Sequence, residues 1–404
     1  MTDPKTAISR TELVALMAML TATVAFAIDA MLPAIPAIGA DLSPGDPNKA
    51  QLVIATFVIG LGVGTFFTGP LSDAFGRRPV AVAGAIIYTF GALLSAVAPS
   101  LELLLAARLL QGLGAAGPRV ACMAIVRDLF SGRQMAQIVS FIIFVFTLAP
   151  VFAPSIGWAL AWAFGWRAIF VSFAVFALVS TVWLLIRQPE TLAPENRRSF
   201  RIQVLIAGTR EILGNPQVVV AILVQTLIFG TLFAALMSSQ QVFEQVFHKG
   251  ETFPLWFGFM AILAAGSNLL NASIVMKVGM RNVVKWALLV QGAFTLVFLV
   301  TLTAGLLDGA ILFPVAFVWF TSIFYLAGFG IGNMNAIALE PVGHIAGLAA
   351  SIVTALSTIG AALLAAPIGQ AFDGTIRPLA IGALVLVALA FLLVLRLKDN
   401  EALT

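Results

Sequence analysis

The sequence alternates long apolar runs with short polar stretches. Each run is long enough to form an α-helix that crosses the roughly 30 Å hydrocarbon core of a bilayer. The pattern therefore predicts an all-α integral membrane protein with twelve transmembrane helices. The apolar runs lie at residues 12–38, 51–71, 80–98, 103–126, 135–160, 167–186, 216–242, 254–276, 283–304, 311–339, 347–371 and 379–396.

One polar stretch is much longer than the others. Residues 187–201 read RQPETLAPENRRSFR, and prolines in this stretch end the preceding helix. The stretch predicts two pseudo-symmetric six-helix bundles, at residues 1–187 and 216–404, joined by a linker at 188–215. Residues 200–214 are short and amphipathic, so we expect a helix that lies along the membrane surface within this linker.

The composition excludes several classes of protein. Hydrophobic residues make up 61% of the chain and charged residues only 10%, whereas a soluble domain has about 25% charged residues. The net charge of +4 is spread over short loops, so we expect no nucleic acid partner. Cys122 is the only cysteine and only two histidines are present, which predicts no metal site, no cofactor and no enzymatic activity.

The lysines and arginines indicate how the chain crosses the membrane. Most of them fall in the polar stretches on one side, while the other side has only Lys49, Arg167, Lys249 and Arg377. Positively charged loops stay in the cytoplasm. We therefore expect a multi-pass protein of the bacterial inner membrane with both termini in the cytoplasm and no cleaved signal peptide.

Three charged residues lie deep in the predicted helices. Asp29 is in the first helix, and Arg108 and Arg119 are in the fourth. Eleven residues correspond to about three helical turns plus 20°, so the two arginines share one face. Because an unpaired charge is costly in lipid, this face should line a water-filled cavity.

Asp29 and Arg108 lie at a similar predicted depth below the outer surface. We expect them to meet, with Asp29 gaining and losing a proton during transport. The alternative is a static ion pair that only holds two helices together.

Arg119 follows Pro118 and has no acidic residue within four positions on either side. Three kinds of partner remain open. They are a substrate anion, hydrated backbone carbonyls that the proline leaves without a hydrogen bond, and an ion pair with the cytoplasmic charges.

A short charged turn, GPLSDAFGRRPV at residues 69–80, joins the second and third predicted helices. It resembles the loop signature between helices 2 and 3 of the major facilitator superfamily, Gly-x-Leu-x-Asp-x-x-Gly-Arg-Arg, which lies on the cytoplasmic face. The resemblance implies the major facilitator fold. A weaker copy at 276–283 agrees with a six-helix internal repeat. The matching residues of the first turn are Gly69, Leu71, Asp73, Gly76, Arg77 and Arg78.

We expect this turn to act as a conformational latch. Asp128 ends the fourth helix on the same side, so Asp73, Arg77 and Asp128 are predicted to form a charge cluster that stabilises the outward-facing state. The alternative is a solvated turn that is basic only because it faces the cytoplasm.

Further motifs resemble one branch of the superfamily, the drug:proton antiporters of the bicyclomycin/chloramphenicol-resistance (Bcr/CflA) type. They are DAMLPAIP at 29–36, RLLQG at 108–112, AIVRDLF at 124–130, LAPVFAPSIG at 148–157, GWRAIF at 165–170 and HIAG at 344–347. The resemblance implies that Asp29 and Arg108 couple protons to transport. It also implies that the helix with Pro150, Pro154 and Gly157 takes part in conformational change.

The chain departs from the branch at three positions. Met31 replaces a usual tyrosine, Thr65 lies near a usual glutamine, and Arg119 stands where the branch is normally apolar. These departures indicate a substrate unlike the neutral or cationic drugs of the branch. The predicted substrate cavity comprises Met31, Thr65, Gln111, Gly112, Ala115, Arg119, Phe144, Phe233, Asn268 and Asn335.

Together these patterns predict a proton-coupled secondary transporter that exports small amphipathic drugs or metabolites by alternating access. One alternative is a proton-coupled carrier of an anionic metabolite or a metal-chelating natural product, because of Arg119. Another is a non-transporting receptor or scaffold, which would not need Asp29 and Arg108. The expected partners are a small-molecule substrate, protons and the lipid bilayer, and we expect a monomer.

Overall fold

The computed structural model describes residues 8–397, so the chain ends whose cytoplasmic location was expected lie outside the described residues. Eleven helical segments of the described part are long and apolar enough to cross a membrane. One of them, Gly309–Gln370, contains two long helices separated by a kink at Val342, where φ is −121° and ψ is 29°. Counting these two helices separately gives twelve spanning helices, and the predicted all-α membrane fold is confirmed.

Fourteen α-helices are formed in the described residues. They are α1 (Arg10–Asp29), α2 (Ile35–Leu42), α3 (Leu52–Phe75), α4 (Arg77–Ala96), α5 (Leu101–Leu129), α6 (Gly132–Phe164), α7 (Arg167–Arg187), α8 (Ile202–Gly214), α9 (Pro216–Gln241), α10 (Phe253–Val278), α11 (Met280–Thr303), α12 (Gly309–Leu339), α13 (Ala346–Gln370) and α14 (Arg377–Val394). The short α2 continues the path of α1 within one spanning segment, Arg10–Leu42.

Glycine makes the sharp corner between two pairs of consecutive helices. Gly76 joins α3 to α4 with a φ of 103°, and Gly279 joins α10 to α11 with a φ of 85°. Residues with a Cβ rarely adopt these positive φ values. The two corners occupy corresponding places in the first and second sets of six spanning helices, as the sequence repeat predicted.

The linker, residues 188–215, lies between two long helices, since α7 ends at Arg187 and α9 begins at Pro216. Its helix α8 buries Leu205, Gly208 and Ile212 and leaves other apolar side chains exposed. This two-sided pattern is typical of a helix at a membrane surface. The division of the chain into two mobile bundles remains a prediction.

The buried apolar side chains show where the two halves join. We call the end of the helices near residues 188–215 the linker end, and the end near Asn48 and Gln370 the opposite end. At the opposite end one buried cluster includes residues of both halves, from Phe57 of α3 to Phe233 of α9. At the linker end the buried residues form two clusters, one in each half. The halves therefore share a buried core at the opposite end, whereas at the linker end Phe66 of α3 is a partly buried first-half side chain that packs against the second-half cluster.

Helices α3 and α5 are in backbone contact. A Cβ added at Gly112 would lie 2.0 Å from the carbonyl oxygen of Phe57, and one added at Gly60 would lie 2.1 Å from the carbonyl oxygen of Leu109. Such small residues let membrane helices approach closely. This contact fixes α5, which carries Arg108 and Arg119, against α3.

We predict that Gly112→Ala lowers the free energy of unfolding by roughly 1–3 kcal/mol or more, because the new methyl group has to push the two backbones apart. The matched control is Gly332→Ala in α12, where an added Cβ meets nothing within 4 Å. That control should be neutral or stabilising by up to about 1 kcal/mol. Thermal unfolding of the detergent-purified protein measures both, and equal melting temperatures for the two variants would contradict the prediction.

Candidate functional site

Arg108 is fully buried at the centre of the first half. Its guanidinium donates from Nε to the carbonyl oxygen of Val53 at 3.1 Å, from Nη2 to that of Ala27 at 3.1 Å, and from Nη1 to Oε1 of Gln111 at 2.7 Å. Its Cζ also lies 4.3 Å from the centre of the Phe57 ring, a favourable cation–π contact. Arg108 therefore ties α1, α3 and α5 together.

Asp29 is only 5% exposed and is the only acidic residue among the buried side chains of residues 8–397. In this part of the chain its carboxylate forms no hydrogen bond and no ion pair. The expected ion pair with Arg108 is thus absent from this structure. The guanidinium binds the backbone carbonyl oxygen of Ala27 instead.

A cavity of about 280 Å³ lies between α3, α5 and α13, towards the linker end. Two of the predicted cavity residues, Thr65 and Arg119, line it. The second half contributes Ser351 and Thr354 from α13. The cavity therefore lies at the junction of the two halves, and sequence reasoning missed its α13 wall.

The other predicted cavity residues are dispersed. Met31, Gly112 and Ala115 are buried in helix packing, and Phe233 stacks on Phe229 with ring centres 5.9 Å apart. None of these four residues lines the cavity with Thr65 and Arg119. The remaining members are Gln111, which binds Arg108, Phe144 and Asn268, which are exposed on α6 and α10, and Asn335, whose buried Oδ1 has no partner.

A charge cluster occupies the linker end of the first half. The Arg77 guanidinium forms ion pairs with Asp73 at 2.5 Å and with Asp128 at 3.0 Å. Asp128 also accepts a hydrogen bond from the Thr191 hydroxyl at 2.9 Å, and the Asp73 carbonyl oxygen accepts one from the Arg198 amide at 3.0 Å. The three residues that the sequence placed in one cluster are thus in contact, together with the linker.

Sequence reasoning missed Glu190, which caps the first turn of α4. Its carboxylate oxygens accept hydrogen bonds from the backbone amides of Arg77 at 3.0 Å and Arg78 at 3.1 Å. A carboxylate is favourable at a helix N-terminus because the free amides there carry partial positive charge. A Cβ at Gly76 would lie 2.4 Å from Glu190 Oε2, so this glycine also makes room for the cap.

The predicted conformational residues of α6 lie in an unbroken helix. Pro150 and Pro154 are both inside α6. A Cβ added at Gly157 would lie 1.9 Å from the carbonyl oxygen of Ala30. Gly157 therefore allows α6 to contact the backbone directly after Asp29. In the same way Gly69 lies against Ser351, which brings α3 close to α13.

Hydrogen-bonded amides connect the halves at the opposite end. Asn48 donates to the carbonyl oxygens of Phe372 at 2.7 Å and Gln370 at 3.1 Å, and Gln241 donates to Asn48 Oδ1 at 3.0 Å. Gln51 donates to Gln241 Oε1. Gln51 and Gln241 are almost fully buried. This amide chain is uncharged. Its pairings could not be predicted from the sequence, because its members are far apart along the chain.

Comparison with curated proteins relates the chain to transporters. It is 30% identical over 267 residues to a bicyclomycin resistance protein homolog of Haemophilus influenzae, which covers 66% of this chain and 67% of that protein. It is 29% identical over 347 residues to the multidrug resistance protein MdtL of Salmonella dublin, with 83% and 82% covered.

Solved structures share the fold. A D-xylose-proton symporter superposes with a TM-score of 0.76 over 97% of this chain and 99% of that chain, at 16% sequence identity. The human organic anion transporter MFSD10 gives a TM-score of 0.65 over 97% and 100%, at 17% identity. The sequence model described as Major Facilitator Superfamily matches residues 17–364. The chain thus belongs to the major facilitator superfamily, as a multi-pass membrane transporter similar to its bicyclomycin- and multidrug-resistance members.

Proposed function

We propose that this transporter exports small amphipathic compounds across the bacterial inner membrane in exchange for protons. The names of its bicyclomycin- and multidrug-resistance relatives support an export role. Proton coupling is supported by Asp29, a buried carboxylate that has no hydrogen-bond or ion-pair partner in the described part of the chain. No chemical conversion, cofactor or second copy of the chain is required.

The proposed orientation follows the positive-inside rule, with the linker end and both termini in the cytoplasm. The shared core and the amide chain then close the outer side, while the halves have separate cores on the cytoplasmic side. This arrangement corresponds to an inward-facing state. Residues 1–187 and 216–404 would rock as two bundles about the contact between α3 and α13, with 188–215 as their tether.

Asp29 is suited to couple protons because of where it lies. It sits at the end of α1, next to the Ala30 backbone on which Gly157 of α6 packs. A charged carboxylate in such a buried place is costly, whereas a protonated one is not. Movement of α6 or α1 during transport would change the access of water to Asp29 and so drive proton uptake or release. Arg108 would keep α1 in register through the Ala27 carbonyl.

We expect Asp29→Asn to reduce transport driven by a pH gradient to the level of protein-free liposomes, because the amide cannot exchange a proton. Binding of the compound and its exchange without a gradient should persist. The measurement uses purified protein in proteoliposomes and a panel of neutral, cationic and anionic amphipathic compounds.

The control for Asp29→Asn is Asp308→Asn, which removes an exposed carboxylate that caps no amide. This control should transport like the wild type. Undiminished concentrative transport by Asp29→Asn would remove Asp29 from the mechanism. A non-transporting receptor, the rival class, would show no gradient-driven flux even in the wild type.

The charge cluster at the linker end is proposed to stabilise the outward-facing state. In this structure Asp73 belongs to the same cavity wall as Gly347 and Ser351, which lie in the first turns of α13. Closing the cytoplasmic side would bring Asp73 to the N-terminus of α13, where a carboxylate is favoured. Arg77 and Asp128 would hold Asp73 in place for this contact.

We predict that Asp73→Asn shifts the population towards the inward-facing state. Spin labels at Ser131→Cys and Gly343→Cys, both exposed at the linker end, report this shift as more long distances in double electron–electron resonance. The buried Cys122 is replaced by alanine for this experiment.

Asp46→Asn, which breaks an exposed ion pair with Lys49 at the opposite end, should leave the distances unchanged, because such pairs contribute only about 0–1 kcal/mol. An unchanged distance distribution for Asp73→Asn would argue against the latch.

The alternative transport function, a proton-coupled carrier of an anionic metabolite or of a metal-chelating natural product, is favoured by one observation. Arg119 lines the cavity at the junction of the halves. This alternative differs from the proposed drug export in the charge of the substrate and not in the transport mechanism. Both functions require Asp29.

A further inference from the structure

Arg119 has no protein partner in this structure. It lies on α5 directly after Pro118, is partly buried, and lines the cavity between α3, α5 and α13. Within residues 8–397 its guanidinium forms no ion pair and donates no hydrogen bond to a carbonyl oxygen or side chain. Neither an ion pair with the cytoplasmic charges nor a direct hydrogen bond to a carbonyl freed by Pro118 is therefore formed in residues 8–397.

Three other arginines of the first half are engaged by the protein. Arg108 donates to two carbonyl oxygens and to an amide side chain. Arg77 lies between two carboxylates, and Arg187 binds Glu12 at 2.6 and 2.8 Å. Since an unpaired guanidinium within a membrane-spanning helix is costly, the cavity at Arg119 has to supply the missing acceptor.

The charges of the cavity wall favour an anionic ligand as the acceptor. Asp73 and Asp128 line the same cavity but are both paired with Arg77. Arg127, at the mouth, adds a further positive charge. The wall thus holds two carboxylates and three guanidiniums, so its net charge is positive, and both carboxylates are already paired with Arg77. Arg119 is therefore available to an anion from solution.

The remaining wall matches a small molecule with an apolar body. Val120, Met123 and Ala124 of α5 and Leu348 and Ala350 of α13 are its apolar members. The cavity volume of about 280 Å³ is close to the lower limit of known small-molecule sites, roughly 300 Å³. One ring system with one acidic group fits this volume and chemistry.

We propose that Arg119 binds the carboxylate of a small amphipathic substrate in the cavity between α3, α5 and α13. The inference rests on the proposed export function and specifies its substrate class, an organic anion. A guanidinium can donate two parallel hydrogen bonds to a carboxylate, and Thr354 and Ser351 place hydroxyl groups on the facing wall. Helices α3 and α5 belong to the first half and α13 belongs to the second, so the anion would bind where the halves meet.

The test compares a carboxylate with its neutral amide. Binding of 2-naphthoate and of 2-naphthamide to the purified full-length protein is measured by isothermal titration calorimetry in detergent, without a pH gradient. The wild type should bind naphthoate more tightly. Arg119→Gln should weaken naphthoate binding about tenfold or more, as expected for loss of charge-assisted hydrogen bonds, and should leave naphthamide binding within about twofold.

Two further variants keep the test decisive. Arg119→Lys retains the charge but not the paired donors, so it should keep a reduced preference for naphthoate even if Arg119→Gln does not fold. Arg210→Gln, an exposed arginine of α8, should bind both compounds like the wild type. Equal weakening of both compounds by Arg119→Gln, or an undiminished preference for naphthoate, would overturn the proposal.

Competition separates an organic substrate from other anions. Sodium sulfate and nanodiscs of anionic rather than zwitterionic phospholipid are tested against naphthoate. Weak competition by both supports an organic anion as the ligand. Displacement of naphthoate by sulfate at equal concentration would assign the site to an inorganic ion. Displacement by the anionic lipid that depends on Arg119 would assign it to a lipid headgroup, and either displacement would overturn the proposal.

Proteoliposome transport then separates this proposal from the export function. Gradient-driven efflux of neutral compounds without any Arg119-dependent naphthoate binding would leave export standing and remove the anion site. Arg119-dependent binding without transport would do the reverse.

Discussion

The cost of a charge inside a membrane is the constraint on which this structure depends. Arg108 meets that cost completely, with two backbone carbonyls, one amide side chain and an aromatic face. Its partners lie on three helices, so the same contacts that neutralise the charge fix the geometry of α1, α3 and α5. Asp29 and Arg119 lie in spanning helices of the same half and have no such partners among residues 8–397. These contacts distinguish Arg108, whose charge is satisfied by the protein, from the other two residues. Asp29 is proposed to take up a proton, and Arg119 is proposed to bind a ligand.

Different interactions stabilise the two ends of the protein. At the opposite end the halves share an apolar core, and the amide chain of Asn48, Gln51 and Gln241 crosses between them. At the linker end the first half is held by ion pairs around Arg77, whose partners are partly exposed to water. Buried amides pair only in one geometry, whereas solvated charges can exchange partners at little cost. Under the proposed function, the linker end is therefore the end at which new contacts between the halves would form.

The sequence predicted the fold well because the bilayer imposes it residue by residue. Each apolar run became a helix, and the glycine corners at Gly76 and Gly279 were visible as motifs. The site was harder to predict. Arg108 has carbonyl partners, and every residue has a carbonyl, so no sequence signal distinguishes Val53 from its neighbours. Glu190 caps a helix more than one hundred positions away, and Gly112 in a signature motif proved to be a packing residue rather than part of a cavity wall.

The position of Arg119 links recognition to conformational change under the proposed function. Its cavity is bounded on one side by α5 and on the other by α13, and Gly69 of α3 lies against Ser351 in the same wall. A ligand held by Arg119 and the α13 wall would contact both halves at once, and only ligands that bind two states differently can shift their balance. An anion at Arg119 would also remove the unpaired positive charge that faces α13. Charge neutralisation and closure of the linker end would then favour each other, because the cavity would no longer need water to solvate its guanidinium.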